Sequence, residues 1–501
     1  MKTSTPAIST PAKNQSARAL PSRRAALATR LLASFALAIS GIAAADPRID
    51  SWFTQHSAQY ARIYRTAADE AAGNAVITWS RGQGNQSLPV YAGVREIASS
   101  ENWVYIRSSG LASYVMGPWY LNAARTQLFP NYPANARVLY RIPRAPTVPA
   151  TKTLTGLGAI GYFVNGVALF DNRDAFYWNG AAETMGSGLW NRDAYVNESV
   201  TFDAGLAHQA GLNHHYHANP IALRHQLGDH VEYDPARNRY SESVGPVTKH
   251  SPIVAWVRDG FPIYGPYGYA NPNDPQSGLK RMATGYVIRD GRNGTANLAV
   301  TGRTTLPAWA ARAYQRAATL NTIEHGPQVS SGYPLGRYLE DHDFLGDLGG
   351  RMGVDFDLDE YNGRFCVTPE FPQGTYAYFV TITENGVPAF PYNLGRCYFG
   401  TPTGSAINAI TEPVTTHFVG GANAEVRVDR PSLNQGTVTL TWSAAEGGTY
   451  RVESSANGQS WIPTITAVNA VKDRASVTTE AATPNQFFRV VRTAIANHDS
   501  N

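Results

Sequence analysis

Gly211-Leu212-Asn213-His214-His215-Tyr216-His217-Ala218-Asn219-Pro220 is the stretch from which both fold and chemistry are read. Gly211 marks a turn, and Pro220 ends whatever regular structure precedes it. In an extended strand, side chains two apart point to the same face. His215 and His217 then face one side together, while His214 and Tyr216 face the other. Two imidazoles on one face are what a shared metal ion requires. Neutral imidazole suits zinc, copper, iron or nickel, and the affinity order favours copper. His208 stands seven residues before His215, across the expected turn at Gly211, and is the third candidate ligand. Asp203 and His250 are candidates for a fourth ligand or for a group that orients one.

Seven of the twelve histidines lie between 208 and 250: His208, His214, His215, His217, His225, His230 and His250. A competing reading makes them hydrogen-bonded core residues beside tyrosines. For His214, His225 and His230, taken singly, packing or surface exposure is the better reading.

Working outward, the chain of 501 residues is rich in Gly (45), Pro (31) and Tyr (27) and only 16% charged. That mixture favours short strands joined by turns over long charged helices. Trp103-Val104-Tyr105-Ile106 reads as a strand, and Asn165-Gly166 and Asn385-Gly386 read as hairpin turns. Helical spacing predicts helices over 49–64, from Ile49, Trp52, Phe53, His56, Tyr60, Ile63 and Tyr64, and over 307–320, opened by Pro307. Further on, Val438-Thr439-Leu440-Thr441-Trp442, Thr449-Tyr450-Arg451-Val452-Glu453 and Phe487-Phe488-Arg489-Val490-Val491 alternate as strands of a small sandwich.

The fold class expected is mainly β: a sandwich-like core with a few short helices, and a small C-terminal β-sandwich. The expected organisation is a signal peptide over 1–45 and a helix-plus-strand segment over 46–149 packing on a core domain over 150–400. A linker over 401–421 and a β-sandwich over 422–494 follow. Residues 1–45 combine a basic stretch ending at Arg30, the apolar run Leu31-Leu32-Ala33-Ser34-Phe35-Ala36-Leu37-Ala38-Ile39, and Ala43-Ala44-Ala45 before Asp46. This is the pattern of an export signal, and it places the protein in the periplasm or outside the cell.

The net charge of +4 is set by that segment, which holds six basic and no acidic residues and leaves −2 for the rest. A nucleic-acid partner therefore has no electrostatic support. No stretch after the leader is long and apolar enough to span a membrane. The two cysteines, Cys366 and Cys397, either pair in an oxidising compartment or sit as two buried thiols.

A second metal candidate is the alternating acidic run Asp355, Asp357 and Asp359. On one strand face it would offer oxygen ligands to calcium. The competing reading is a solvated acidic strand. It is not an EF-hand loop, because Glu360 stands at the glycine position. Asp259 and Asp203 are the carboxylates available as a base if the metal activates water.

Several of these stretches resemble the YHYH-domain family. His214-His215-Tyr216-His217 is similar to its signature, with His214 in place of the first tyrosine. His250-Ser251-Pro252-Ile253, Asp259-Gly260-Phe261-Pro262-Ile263-Tyr264-Gly265, Asp357-Leu358-Asp359-Glu360-Tyr361-Asn362-Gly363-Arg364-Phe365 and Gly374-Thr375-Tyr376-Ala377-Tyr378-Phe379 extend the likeness over about 90–400. The resemblance implies a secreted protein and carries no established activity, so no catalytic residue follows from it. The tail over 422–494 resembles fibronectin type III-like modules, which implies a spacer or a surface binder.

Three functions fit these readings. One is an exported protein binding copper or zinc through His208, His215 and His217. Another is a metal-dependent hydrolase or oxidoreductase built on the same site. The last is a non-catalytic protein that contacts polysaccharide or cell surface through its C-terminal module.

Overall fold

In the computed structural model, which describes residues 46–480 and 486–495, the alternating segments assemble mostly as β-structure. The central element is an eight-stranded mixed sheet. Its strands are β1 (Ala159–Phe163), β2 (Ala168–Phe170), β3 (Ala207–Ala210), β4 (Asn213–Tyr216), β5 (Ile253–Val257), β6 (Pro262–Tyr264), β7 (Gly363–Cys366) and β8 (Thr375–Phe379). Their spatial order is β3-β4-β2-β1-β5-β6-β8-β7. β4 runs parallel to β2 and β6 parallel to β8; the other pairs are antiparallel. β5 lies mid-sheet and is buried at every position, as its unbroken apolar run Ile253-Val254-Ala255-Trp256-Val257 requires.

The turn at Asn165-Gly166 joins β1 to β2. Gly166 adopts φ 79°, and a Cβ there would lie 2.3 Å from Ser108 Oγ. Glycine is thus required both by the backbone and by close approach of the neighbouring sheet. Asn385-Gly386 makes a similar turn, bridged by Ile382 and Pro388.

A five-stranded antiparallel sheet packs on the first. Its order is Ser405–Ala406, Val138–Pro143, Trp103–Ser108, Val94–Ser99 and Thr415–Val419. Ile97, Val104, Ile106 and Ile142 from this sheet share one core with Phe163, Leu169 and Val254 from the other. Tyr140 and Tyr162 meet across the interface with ring centroids 4.6 Å apart. Residues 401–421, expected as a linker, supply the two edge strands Ser405–Ala406 and Thr415–Val419. Small and polar residues suit an edge strand as well as a linker, which is why composition did not separate the two.

The tail forms two three-stranded sheets. Ser432–Asn434, Thr437–Ser443 and Arg474–Glu480 make one; Ile462–Asn469, Gly448–Ser455 and Phe487–Ile495 make the other. Val438, Leu440 and Trp442 alternate inward to meet Tyr450 and Val452. The Glu446 carboxylate accepts from Tyr60 N at 2.9 Å, and Ala422 and Ala445 pack with Ala58, Tyr60 and Tyr91.

Two expected helices are much shorter than their periodicity. Over 49–64 only Pro47–Asp50 is helical. Trp52, Phe53, Tyr60 and Ile63 are buried as expected, but from an irregular segment whose amides bond outward: Phe53 N to Val164 O at 2.9 Å and Ala61 N to Val90 O at 2.8 Å. Long-range partners thus replace the i→i−4 ladder, and the apolar spacing survives without the helix. Over 307–320 the helix is Ala308–Ala313, with Pro307 as its N-cap. It stops before Gln315, which takes φ 54°.

Cys366 and Cys397 are free and buried, so the unpaired reading holds. No helix among the described residues is long and apolar enough to cross a membrane. The expected signal peptide, 1–45, lies outside the described residues.

Candidate metal centre

The β3–β4 hairpin turns through Gly211 (φ 61°) and Leu212. This tight connection sets the register. His208 stands directly opposite His215, and Gln209 opposite His214. Opposed residues share a face, so His208, His215 and, one step beyond the strand, His217 point together. Their ligand atoms all lie within 4.8 Å of one another, and all three side chains are buried. Among the described residues this is the one such grouping of three or more His, Cys, Asp or Glu side chains.

The imidazoles are held by their outer nitrogens. His215 Nδ1 donates to Asn213 O at 2.9 Å and His217 Nδ1 to Asp171 O at 2.6 Å. A carbonyl oxygen only accepts, so both rings carry their proton on Nδ1 and present a lone pair at Nε2. The hydroxyl of Thr201 donates to Glu198 O at 2.7 Å and accepts from His208 Nδ1 at 2.7 Å, which gives His208 the same tautomer. The Nε2 atoms of His215 and His217 are then 3.0 Å apart. Lone pairs at that distance repel unless a cation, a proton or a metal ion, lies between them.

Sequence reasoning missed one residue here. Glu198 ends the short helix Ala194–Glu198, which Asp193 caps by accepting from Val196 N. Its Oε2 lies 3.3 Å from His217 Nε2 and 3.5 Å from His208 Nε2. Nothing in the local pattern marked it. It stands ten residues before His208, and only the docking of the helix on the hairpin brings it in.

Half-buried phenyl rings close the surroundings. Phe170 stacks on His215 with centroids 3.9 Å apart, and Phe202 meets His208 edge-on at 4.8 Å. In this setting burial pushes His208 down to about 3 and His215 well below the ordinary imidazole value. Burial would lower His217 too, but the hydrogen bond and charge of Glu198 outweigh it and raise its pKa. For Glu198, burial acts to raise the carboxyl, and the neighbouring His217 and His208 pull it below its usual range.

The other expected site residues lie elsewhere. Asp203 is buried beneath the loop entering β3. Its carboxylate accepts from Tyr114 Oη at 3.0 Å, Gly117 N at 2.9 Å, Gly205 N at 2.9 Å and Ala207 N at 3.2 Å. Burial raises it to about 7 against those hydrogen bonds. His250 sits among Tyr264, Tyr269 and Phe379, with Nδ1 donating to Ser251 O at 2.7 Å. The acidic run is turn, bend and irregular chain rather than strand, so Asp355, Asp357 and Asp359 share no strand face. Asp355 accepts from Arg351 N, Asp357 from Lys280 and Ala283 N, and Asp359 from Tyr376 Oη, Tyr361 N and Gly363 N. Each carboxylate is tied separately, by different partners. Asp259 accepts from Tyr378 Oη at 2.6 Å and Gly400 N at 2.9 Å, in a turn.

His214 faces away from the trio. Its ring lies 5.9 Å from Trp119 and 6.4 Å from Tyr114. The molecule is thus a mainly β protein whose edge hairpin gathers three imidazoles. A family model described as "YHYH protein" matches residues 139–392, and the chain belongs to that family. No curated protein and no solved structure matches it. The signature's departure at His214 falls on the packing face, where one buried ring replaces another.

Proposed function

We propose that this is an exported metal-binding protein that holds a copper or zinc ion on Nε2 of His208, His215 and His217. The observation that carries this reading is the convergence of three Nε2 lone pairs whose Nδ1 atoms are each already bonded to an oxygen. Metal-ligating histidines are oriented in this way by their outer nitrogens. Tetrahedral bonds of about 2.0–2.1 Å place neighbouring donors about 3.3 Å apart. The His215–His217 separation of 3.0 Å is close to that spacing.

Export rests on the pattern of residues 1–45, and it makes the periplasm or the cell exterior the place where the ion is met. The C-terminal unit, with its own core, suits a fibronectin type III-like spacer or surface contact.

The test is titration of the full chain with Zn(II) and with Cu(I) under a competing chelator. One ion should bind per chain. Loss of a direct ligand should exceed the tenfold to hundredfold cost of losing an orienting partner, so His217→Ala should weaken binding about 100-fold or more. Equal affinity in the wild type and the His215→Ala/His217→Ala double variant would overturn the reading.

A further inference from the structure

We infer that the Glu198 carboxylate is the fourth donor of this site, and that the ion it holds is divalent. The inference rests on the metal-binding reading above and deepens it.

The competing role for Glu198 is a plain charge partner of one protonated histidine. A charge-assisted N–H···O bond of that kind closes to about 2.7–2.9 Å and selects one donor. Here a single oxygen, Oε2, is shared, at 3.3 Å from His217 Nε2 and 3.5 Å from His208 Nε2. Both separations are too long for a strong ionic hydrogen bond. Both match the spacing of about 3.3 Å between donors that face a common ion across bonds of about 2.0–2.1 Å.

The backbone supports the same assignment. The turn Ser199–Thr201 follows Glu198 directly. Thr201 Oγ1 bonds both Glu198 O and His208 Nδ1. One turn therefore anchors the Glu198 backbone and fixes the His208 imidazole beside it. The Glu198 side chain retains 27% exposure while those of His208 and His217 retain 6% and 4%. Glu198 thus occupies the solvent side of the site, and an ion entering from solvent meets the carboxylate first.

Charge and softness then decide the ion. Cuprous copper is satisfied by two or three soft or imidazole donors and gains little from a carboxylate. Zn(II), Co(II) and Cu(II) gain from an anionic oxygen, and the surrounding phenyl rings strengthen that attraction by excluding water.

Glu198→Gln keeps shape and removes charge, and it is compared with the wild-type full chain by competitive titration with Zn(II) and Cu(I) and by the visible spectrum of the Co(II) form. A thermal melt of each apo chain checks that the variant is folded. Glu198→Asp, shorter but charged, separates loss of charge from loss of reach. The expected result is a fall in Zn(II) affinity of about tenfold or more with a shifted Co(II) spectrum, and Cu(I) affinity that changes by less than about threefold. Glu198→Asp should fall between the two. Equal Zn(II) affinity and an unchanged Co(II) spectrum in Glu198→Gln would overturn the fourth-donor assignment and leave the three-histidine site standing. An equal loss for Cu(I) and Zn(II) would overturn the divalent assignment. Absence of binding in the wild type would instead overturn the underlying reading.

Discussion

Two settings of histidine contrast in this protein. His208, His215 and His217 gather at the edge hairpin, whereas His250 is buried and His342 half-buried, each away from the trio. His250 lies among aromatic rings with its Nδ1 on Ser251 O, and no hydrogen-bond partner meets its Nε2. His342 stacks on Phe390 at 4.2 Å, with its Nδ1 at 3.2 Å from Leu339 O. His250 shares the burial of the trio, and both lone rings share its outer hydrogen bond. They lack a second imidazole aimed at the same point. Burial and a satisfied Nδ1 therefore make a histidine available, and convergence makes a candidate ligand set.

The largest expected effect sharpens this contrast through pH. Burial pushes His250 and His342 down to about 4, against about 6.5 in the unfolded chain. Below 6.5 the unfolded state binds protons that the folded state refuses. Their contribution to stability is therefore intact above pH 6.5 and is lost as pH falls toward 4, by up to about 3 kcal/mol for each ring. Asp193 and Glu340, raised to about 7 by burial, act in the opposite sense. The test therefore compares variants. In metal-free protein, the urea midpoint of His250→Gln/His342→Gln should depend less on pH between 6.5 and 4 than that of the wild type. An identical slope would show that the lone rings do not behave as neutral core groups.

The next effect separates the two faces of β4. His214→Ala should remove packing against Trp119 and Tyr114 and cost about 2 kcal/mol or more of folding stability. Its metal affinity should fall far less than that of His217→Ala, because strand alternation turns the His214 side chain to the opposite face. A loss of affinity as large as that of His217→Ala would mean that the faces are not distinct.

A smaller effect concerns orientation. Thr201→Val keeps the side-chain shape and removes the oxygen that accepts from His208 Nδ1. Metal affinity should fall about tenfold, as for other partners of ligating histidines. An unchanged affinity would mean that His208 is positioned by packing alone.

The H-x-H pair was legible because a strand's two-residue period is local, and Gly211 signalled the turn that returns His208. The tail strands were legible for the same reason: Val438, Leu440 and Trp442 alternate without regard to what lies beyond them. Legibility ended wherever a partner came from a distance. The apolar spacing over 49–64 marked the right buried side chains, yet amides bonding to Val164 and Val90 displaced the helix. Asp355, Asp357 and Asp359 alternate in sequence but are claimed by separate partners: Arg351 N, Lys280 with Ala283 N, and Tyr376 with two nearby amides. Asp203 lies near the histidines in sequence, and the backbone amides of Gly117, Gly205 and Ala207 claim its carboxylate. Glu198 had no local mark, because its role depends on where a short helix meets a hairpin.

The sequence by itself determined the β-rich class, the family likeness and the pairing of His215 with His217, all of which follow from turn residues and short-period alternation. Only the tertiary structure decided that His208 lies opposite His215, that Glu198 lies beside His208 and His217, and that His250 stands apart. Periodicity sets the face on which a side chain lies; the distance between two faces is set by strand register and helix docking, which depend on packing across the whole core.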